Sequence, residues 1–345
     1  MSRLHVVAVA VVCLFVGAAP AAAETPSAVV DQPVSFIVQN VNKSGVPCGT
    51  DGKTYTVQGH LTGPASSLRS VQPKSGTLYL HGLELAEWFW RVPVNGFNHA
   101  VELAKRGHVS ITIDRLGYGA SDHPAGTQSC VGGQATIAHQ IVQQLRGGTY
   151  GGTLHPTFSR VALAGHSLGG SIAQVEAFSF KDVDAVALLS YADVALSASA
   201  VFTAVSWGPT CVLGGQPSAK GAPGYAYFTA NQADYRKNFL AAAPDSVFAY
   251  GDSRRSINPC GDLQSAVQAA VVSGLSAKQI KVPVLLLMGD KDLVFDSTRL
   301  PLQALLYGGP TTTKVIPGAT HGLTVDRTAP EFRSALEAWL ISQGV

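Results

Sequence analysis

Charge is scarce in this chain. Only 13% of its 345 residues are Asp, Glu, Lys or Arg, and 24 basic against 22 acidic groups leave a formal net charge of +2. That excludes a broad basic footprint for nucleic acid and an acidic interaction tail. No period of roughly 20–50 residues recurs, so a solenoid or a propeller is excluded too. No C-x-x-C spacing occurs, which argues against structural zinc knuckles and thioredoxin-like chemistry. Beyond the N-terminal segment no apolar run approaches the ~20 residues that a membrane-spanning helix needs. What is plentiful is apolar material, at 46% of the residues, so a disordered chain is excluded. The 36 glycines and 19 prolines imply many turns, without the one-in-three glycine of collagen. The length suits two domains, or one large α/β domain carrying insertions.

The apolar material at the N-terminus has its own pattern. Arg3 precedes an apolar stretch over residues 6–16, and Ala21, Ala22 and Ala23 supply small side chains after it. This reads as a signal peptide over residues 1–23, cleaved near Ala23, and so as a secreted protein. The competing reading, an uncleaved anchor, fails on length. Cys13 would leave with the leader, and Val12 before it is not the small residue that lipidation expects. Cys48, Cys130, Cys211 and Cys260 remain. An even number of cysteines in an exported chain predicts two disulfides, with three possible connectivities. Cys48–Cys130 with Cys211–Cys260 is favoured, because the second pair then closes a loop within one inserted segment. Asn42-Lys43-Ser44 matches a glycosylation sequon, which has meaning only in a host that glycosylates.

Hydrophobic periodicity orders the rest. Strand-like segments run over 34–41, 54–61, 77–80, 108–114, 160–165, 183–190, 282–289 and 313–316. The segment 282–289 is almost wholly apolar, as expected when both faces of a sheet are covered. Helical spacing joins Ile137, Ile141 and Leu145, then Leu168, Ile172 and Val175, and finally Phe332, Leu336, Trp339 and Leu340. Strands alternating with helices predict a mostly parallel central sheet with helices on both faces. Residues 192–279 break the rhythm: no clear strand, but Gly, Pro, aromatics and two cysteines. They read as a cap inserted into a core built from 24–191 and 280–345. Leu196, Val201, Phe202, Val205 and Trp207 would line a pocket there or pack the cap onto the core.

The strongest chemical signal is Gly165-His166-Ser167-Leu168-Gly169. It falls between an apolar strand and a helix, where a sharp turn can strain the backbone and expose a nucleophile. The competing reading of Ser167 is a helix N-cap. A serine hydroxyl needs a base, and the base needs an orienting acid. His321 follows the last strand, beside Gly322. Asp292 lies just after the strand 282–289. Asp290, Asp296 and Asp193 are rival acids. The backbone N–H groups of Leu168 and Leu83 are the candidate oxyanion donors, Leu83 following His81 and Gly82. His81 is expected to hold its loop by hydrogen bonds. Glu84 and Glu87 either contact substrate or face water. Trp88, Phe89 and Trp90 either wall a pocket or pack the core. The turn from Asp114 to Ser121 lacks a phosphate-loop lysine and reads as scaffold.

With those residues in place, the sequence resembles the α/β-hydrolase superfamily over roughly residues 75–345. The resemblance rests on His81-Gly82, the glycine turn at 114–121, the elbow at 165–169, and the loops carrying Asp292 and His321. It implies a carboxylic-ester hydrolase that works without cofactor or metal, on a small-molecule substrate with apolar groups. Nucleic-acid partners and stable membrane anchoring are not expected. Aspartate-dependent relatives such as dehalogenases are set aside, because serine holds the nucleophile position. The same triad could act on lactone, peptide, thioester or C–C bonds, and a non-catalytic binder using the cap pocket is the alternative class. Acyl and alcohol preference and oligomeric state have no signature in the chain.

Overall fold

A computed structural model describes Met1 and residues 28–345. The expected leader, residues 1–23, lies outside the described residues except for Met1, and the side chains of residues 199–205 lie outside them as well.

The chain opens with β1 (Val29–Gln39) and β2 (Thr54–Pro64), an antiparallel pair. A short helix, α1 (Ala65–Arg69), leads to β3 (Lys74–Leu80). Then come α2 (His99–Ala104), β4 (Ser110–Ile113), α3 (Val131–Gly147), β5 (Phe158–His166), α4 (Leu168–Phe180) and β6 (Ala185–Leu189). Between β6 and the next sheet strand lie α5 (Ala198–Val212), β7 (Tyr225–Ala226), α6 (Gln232–Phe239), α7 (Asp245–Asp252), β8 (Asn258–Pro259) and α8 (Cys260–Ser276). The chain closes with β9 (Val284–Gly289), α9 (Leu300–Ala304), β10 (Thr311–Ile316) and α10 (Ala329–Ser342).

Eight of these strands form one sheet in the order β1-β2-β4-β3-β5-β6-β9-β10. β2 meets both of its neighbours antiparallel, and every pairing from β4 to β10 is parallel. Parallel strands need crossovers, and helices supply them. The period-2 alternation of the strands sorts the core into two layers. Val161 and Leu163 of β5, with Val186 and Leu188 of β6, join Ile137, Ile141 and Ile172 of α3 and α4 on one face. Ala162, Ala164, Ala185 and Ala187 turn to the other face, with Leu103 of α2 and Phe332 and Leu336 of α10. Small alanines on that side let the second helical layer approach closely. Each fully buried Leu or Ile contributes roughly 1.5–3 kcal/mol, so neither layer is dispensable.

Every segment read as a strand is present, with shifted ends. The stretch read as strand-free contains β7 and β8, two residues each, paired antiparallel. Their shortness explains why periodicity missed them. Both disulfides form as favoured, Cys48–Cys130 across 82 residues and Cys211–Cys260 across 49. The Asn42 side-chain amide is engaged within its own turn, donating to the Val46 carbonyl at 2.8 Å. No helix among the described residues is long and apolar enough to cross a membrane.

Candidate active site

β5 runs into α4 without a loop, and Ser167 sits at the junction with φ 54° and ψ −125°. Few non-glycine residues adopt such a backbone, because Cβ crowds its neighbours; holding one there costs about 1–3 kcal/mol. The surroundings explain how it is tolerated. A Cβ at Gly165 would lie 2.0 Å from the Gly169 carbonyl oxygen, and one at Gly169 would lie 2.3 Å from that of Leu80. Glycine at both places lets three backbone segments close on the turn. Ser167 N–H donates to Leu189 O at 2.9 Å, and the Ser167 carbonyl accepts from Gly170 N–H at 2.8 Å. Ser167 stands at the N-cap position of α4, but its hydroxyl caps no helix N–H.

The loop after β3 lies against this turn. His81 donates from Nδ1 to Gly82 O at 2.9 Å, and its Nε2 accepts from Arg115 N–H at 3.1 Å. Burial, then the Arg115 guanidinium, holds the His81 pKa well below the usual imidazole value, so the ring is neutral. It is a brace, as expected. A Cβ on Gly82 would come within 2.7 Å of Ser167 Cβ. Among the described residues, neither the Leu83 nor the Leu168 N–H donates a hydrogen bond. Leu83, Ser167 and Leu168 line one cavity.

Asp292 and His321 meet at the ends of β9 and β10. Asp292 Oδ1 accepts from the N–H groups of Val294 and Phe295 at 2.8 and 3.0 Å. Oδ2 then accepts from His321 Nδ1 at 2.9 Å, both side chains being inaccessible to solvent. In the Nδ1–H tautomer that this bond favours, Nε2 keeps a lone pair. Nε2 is buried and has no hydrogen-bond partner, Ser167 Oγ included. Phe239 and Phe295 flank the ring, with centroids 5.3 and 5.8 Å away. Of the rival acids, Asp290 accepts from Gly318 N–H, Asp296 from Thr298, and Asp193 from Tyr191 and Gln174.

Two participants escaped the sequence reading. His166 donates from Nε2 to His321 O at 2.7 Å, which ties the turn to the histidine loop. Asp326 accepts from the N–H and the hydroxyl of Thr320 at 2.6 and 2.9 Å. Burial pushes the Asp326 carboxyl up to about 6. His166 was legible only as the variable position of its motif, and nothing in the spacing marks Asp326.

The two glutamates after Leu83 neither face water nor reach the Ser167 cavity. Glu84 is fully buried, paired with Arg255 at 2.9 Å and accepting from the Thr229 hydroxyl at 2.6 Å. Glu87 is nearly buried against His60, at 2.8 Å, and Thr112, at 2.6 Å. Of the aromatic cluster, Phe89 and Trp90 pack the core, while Trp88 is half-buried.

The cavity at Ser167 has a volume of about 450 Å³ and apolar walls from Trp207, Phe228, Phe239, Leu263, Val271 and Phe295. Leu196 and Trp207, two of the five residues expected to line a pocket, do so. The side chains of the other three, Val201, Phe202 and Val205, lie outside the described residues. A larger cavity of about 740 Å³, lined by Asp114, Tyr250, Arg254 and Arg255, touches none of Ser167, Asp292 or His321. We take the smaller one as the candidate site, because it contains the strained serine.

A mostly parallel eight-stranded sheet with a serine on a strained strand-to-helix turn defines an α/β hydrolase. The model of the Alpha/beta hydrolase family matches residues 78–334, and the chain belongs to that family. No curated protein matches the chain. Among solved structures it is similar to a thermophilic esterase from Thermogutta terrifontis, at 17% identity and a TM-score of 0.60, covering 90% of this chain and 100% of that one. It is also similar to a monoacylglycerol lipase from Paleococcus ferrophilus, at 20% identity and a TM-score of 0.56, covering 77% and 94%. A hydrolase from Pseudomonas aeruginosa PA01 is similar at 17% identity and a TM-score of 0.57, covering 88% and 99%. At these identities the likeness speaks for the fold.

Proposed function

We propose that this hydrolase is a secreted carboxylic-ester hydrolase that works through Ser167, His321 and Asp292. The observation that carries the reading is the division of labour on one ring. Asp292 occupies Nδ1 of His321, and Nε2 is left with a free lone pair in a buried setting. The ring lies close to the serine turn, its centroid 4.7 Å from that of His166. The contact from Nε2 to Ser167 Oγ closes when substrate is bound; such bonds are commonly long in empty sites.

In the proposed reaction Ser167 Oγ attacks the ester carbonyl carbon while His321 Nε2 takes its proton. The carbonyl oxygen, now an anion, accepts from the N–H groups of Leu83 and Leu168. Leu168 begins α4, whose dipole favours negative charge there. The C–O bond breaks, and His321 returns the proton to the departing alcohol. Water then attacks the acyl-enzyme by the same route and releases the acid. Asp292 fixes the ring's orientation and tautomer through Nδ1. The apolar walls of the cavity suit an aliphatic or aromatic acyl group. Residues 192–279 act as the cap over this site. Two structurally similar proteins, an esterase and a monoacylglycerol lipase, are consistent with ester chemistry. The two disulfides suit an oxidising compartment, as the expected leader does.

The test is Ser167→Ala, assayed on p-nitrophenyl esters of rising chain length. Turnover should fall by about 10³-fold or more with an unchanged melting temperature. A phosphonate probe should label the native protein stoichiometrically and leave the variant unlabelled. Undiminished hydrolysis by the variant would refute the scheme.

A further inference from the structure

A second cluster of chemistry-bearing side chains lies at the far end of α4. His139 comes from α3, Glu176 from α4, and Asp182 from the turn into β6. Lys181, with φ 59°, reverses the chain after α4 and brings Asp182 back towards Glu176. One ligand atom from each of the three lies within 4.8 Å of the others. Glu176 is nine residues beyond Ser167, about 13 Å along the helix at 1.5 Å per residue, so the cluster is separate from the acyl-transfer site.

Three features single it out. Glu176 is fully buried, yet neither of its carboxylate oxygens has a hydrogen-bond partner. Oδ1 of Asp182 is also buried and unpartnered. A buried carboxylate without donors is costly unless a cation meets it or it takes up a proton; burial, with Asp182 alongside, does push the Glu176 carboxyl well above its usual range. His139 is held in place: its ring stacks on Phe180 with centroids 4.1 Å apart, and Nδ1 lies 2.8 Å from Asp182 Oδ2. Gln143 donates to the same oxygen. The nearby Arg146 is committed elsewhere, to Asp184 Oδ2 at 2.8 Å and the Asp182 carbonyl at 2.6 Å.

We propose that His139, Glu176 and Asp182 bind one divalent transition-metal cation, best matched by Zn²⁺. One imidazole with two carboxylates is a mixed nitrogen–oxygen set that zinc accepts in tetrahedral geometry, with water as the fourth ligand. Ca²⁺ asks for six to eight oxygens, which this set does not supply. The side chains of His139 and Asp182 are 28% and 18% exposed, so ion and water have an entry path. The cation neutralises the two carboxylates and staples α3 to the end of α4 and the start of β6. It has no part in acyl transfer, and so extends the metal-free expectation for the reaction rather than replacing it.

The experiment uses the full chain without a histidine tag, stripped with EDTA and titrated with ZnCl₂ by calorimetry. The native protein should bind one equivalent, and its melting temperature should rise by about 5 °C at saturating zinc. His139→Ala and Glu176→Gln should each weaken binding by about tenfold or more and lose the thermal shift, while ester turnover without zinc stays unchanged. Should Glu176→Gln fail to fold, the partly exposed His139 carries the test alone. Excess Ca²⁺ should not compete. No zinc binding by the native protein, or equal binding by native protein and His139→Ala, would overturn the site; it would mean that the two carboxyls share a proton instead.

Discussion

The imidazole of His166 and the main-chain carbonyl of His321 are joined by a 2.7 Å hydrogen bond from Nε2. Burial, then the neighbouring His321, holds the His166 pKa well below the ordinary imidazole value. The ring is therefore neutral, and its single proton lies on the nitrogen that donates. This links the residue before Ser167, the proposed nucleophile, to the backbone of His321, the proposed base. His166→Phe keeps the ring and removes the donor, leaving the carbonyl unsatisfied at a cost of about 1–3 kcal/mol. Steady-state kinetics should show kcat falling about tenfold with KM nearly constant. Unchanged kcat would mean that the bond only packs the core.

Asp292→Asn tests the tautomer argument. An amide nitrogen facing His321 Nδ1 would favour the ring with its proton on Nε2, which cannot act as a base. Loss of a triad carboxylate in this way costs about 10⁴-fold in kcat. Hydrolysis measured across pH should fall to that degree near neutrality. A loss below about tenfold would point to another acid.

Acyl preference should follow the walls of the 450 Å³ cavity. Ala270 lines it, and Ala270→Trp would fill part of that space. Each acyl methylene that loses its place forfeits about 0.8 kcal/mol. Comparison of acetate and octanoate esters should show kcat/KM lowered tenfold or more for octanoate and little changed for acetate. An equal loss on both would place the acyl group elsewhere.

Asp114 gives stability a pH dependence. Burial pushes its carboxyl up to about 6 from an ordinary 3.8, against the N–H groups of Glu87 and Ala120 that it accepts. The folded state thus holds this proton more tightly than the unfolded chain. Its contribution is full below the unfolded pKa and is lost as pH rises through the folded one. Measured against Asp114→Asn by urea unfolding, the native protein should lose about 3 kcal/mol between about pH 4 and pH 7. A constant difference across that range would show that Asp114 does not titrate as argued.

The sheet was readable because each core strand is an apolar run between glycine-rich turns and each crossover helix keeps its own spacing. Val284, Leu286 and Met288 turn one way, Leu285 and Leu287 the other, so both faces of β9 announced themselves. Ser167, Asp292 and His321, the residues of the proposed site, stood out in the sequence because each follows a strand end. Glu84, Glu87, His166 and Asp326 were not, because their roles depend on partners far away in the chain. Glu84 meets Arg255, 171 residues on, and no local pattern encodes that. The burial of Phe89 and Trp90 is likewise decided by packing, since aromatic content alone suits a pocket wall equally well.

Glu84 also bears on access to the cavity at Ser167. Its pairing with Arg255 joins the segment after β6 to the residue next to Leu83, and Arg115 grips Asp262 of α8 at 2.8 Å in full burial. Cys211–Cys260 closes the same stretch covalently. Parting either ion pair would strand a buried charge at about 3–5 kcal/mol. Lifting residues 192–279 away from the loop after β3 is therefore costly, and under the proposed cap role the expected entry is by side-chain breathing at the rim, near exposed Leu196 and Val271.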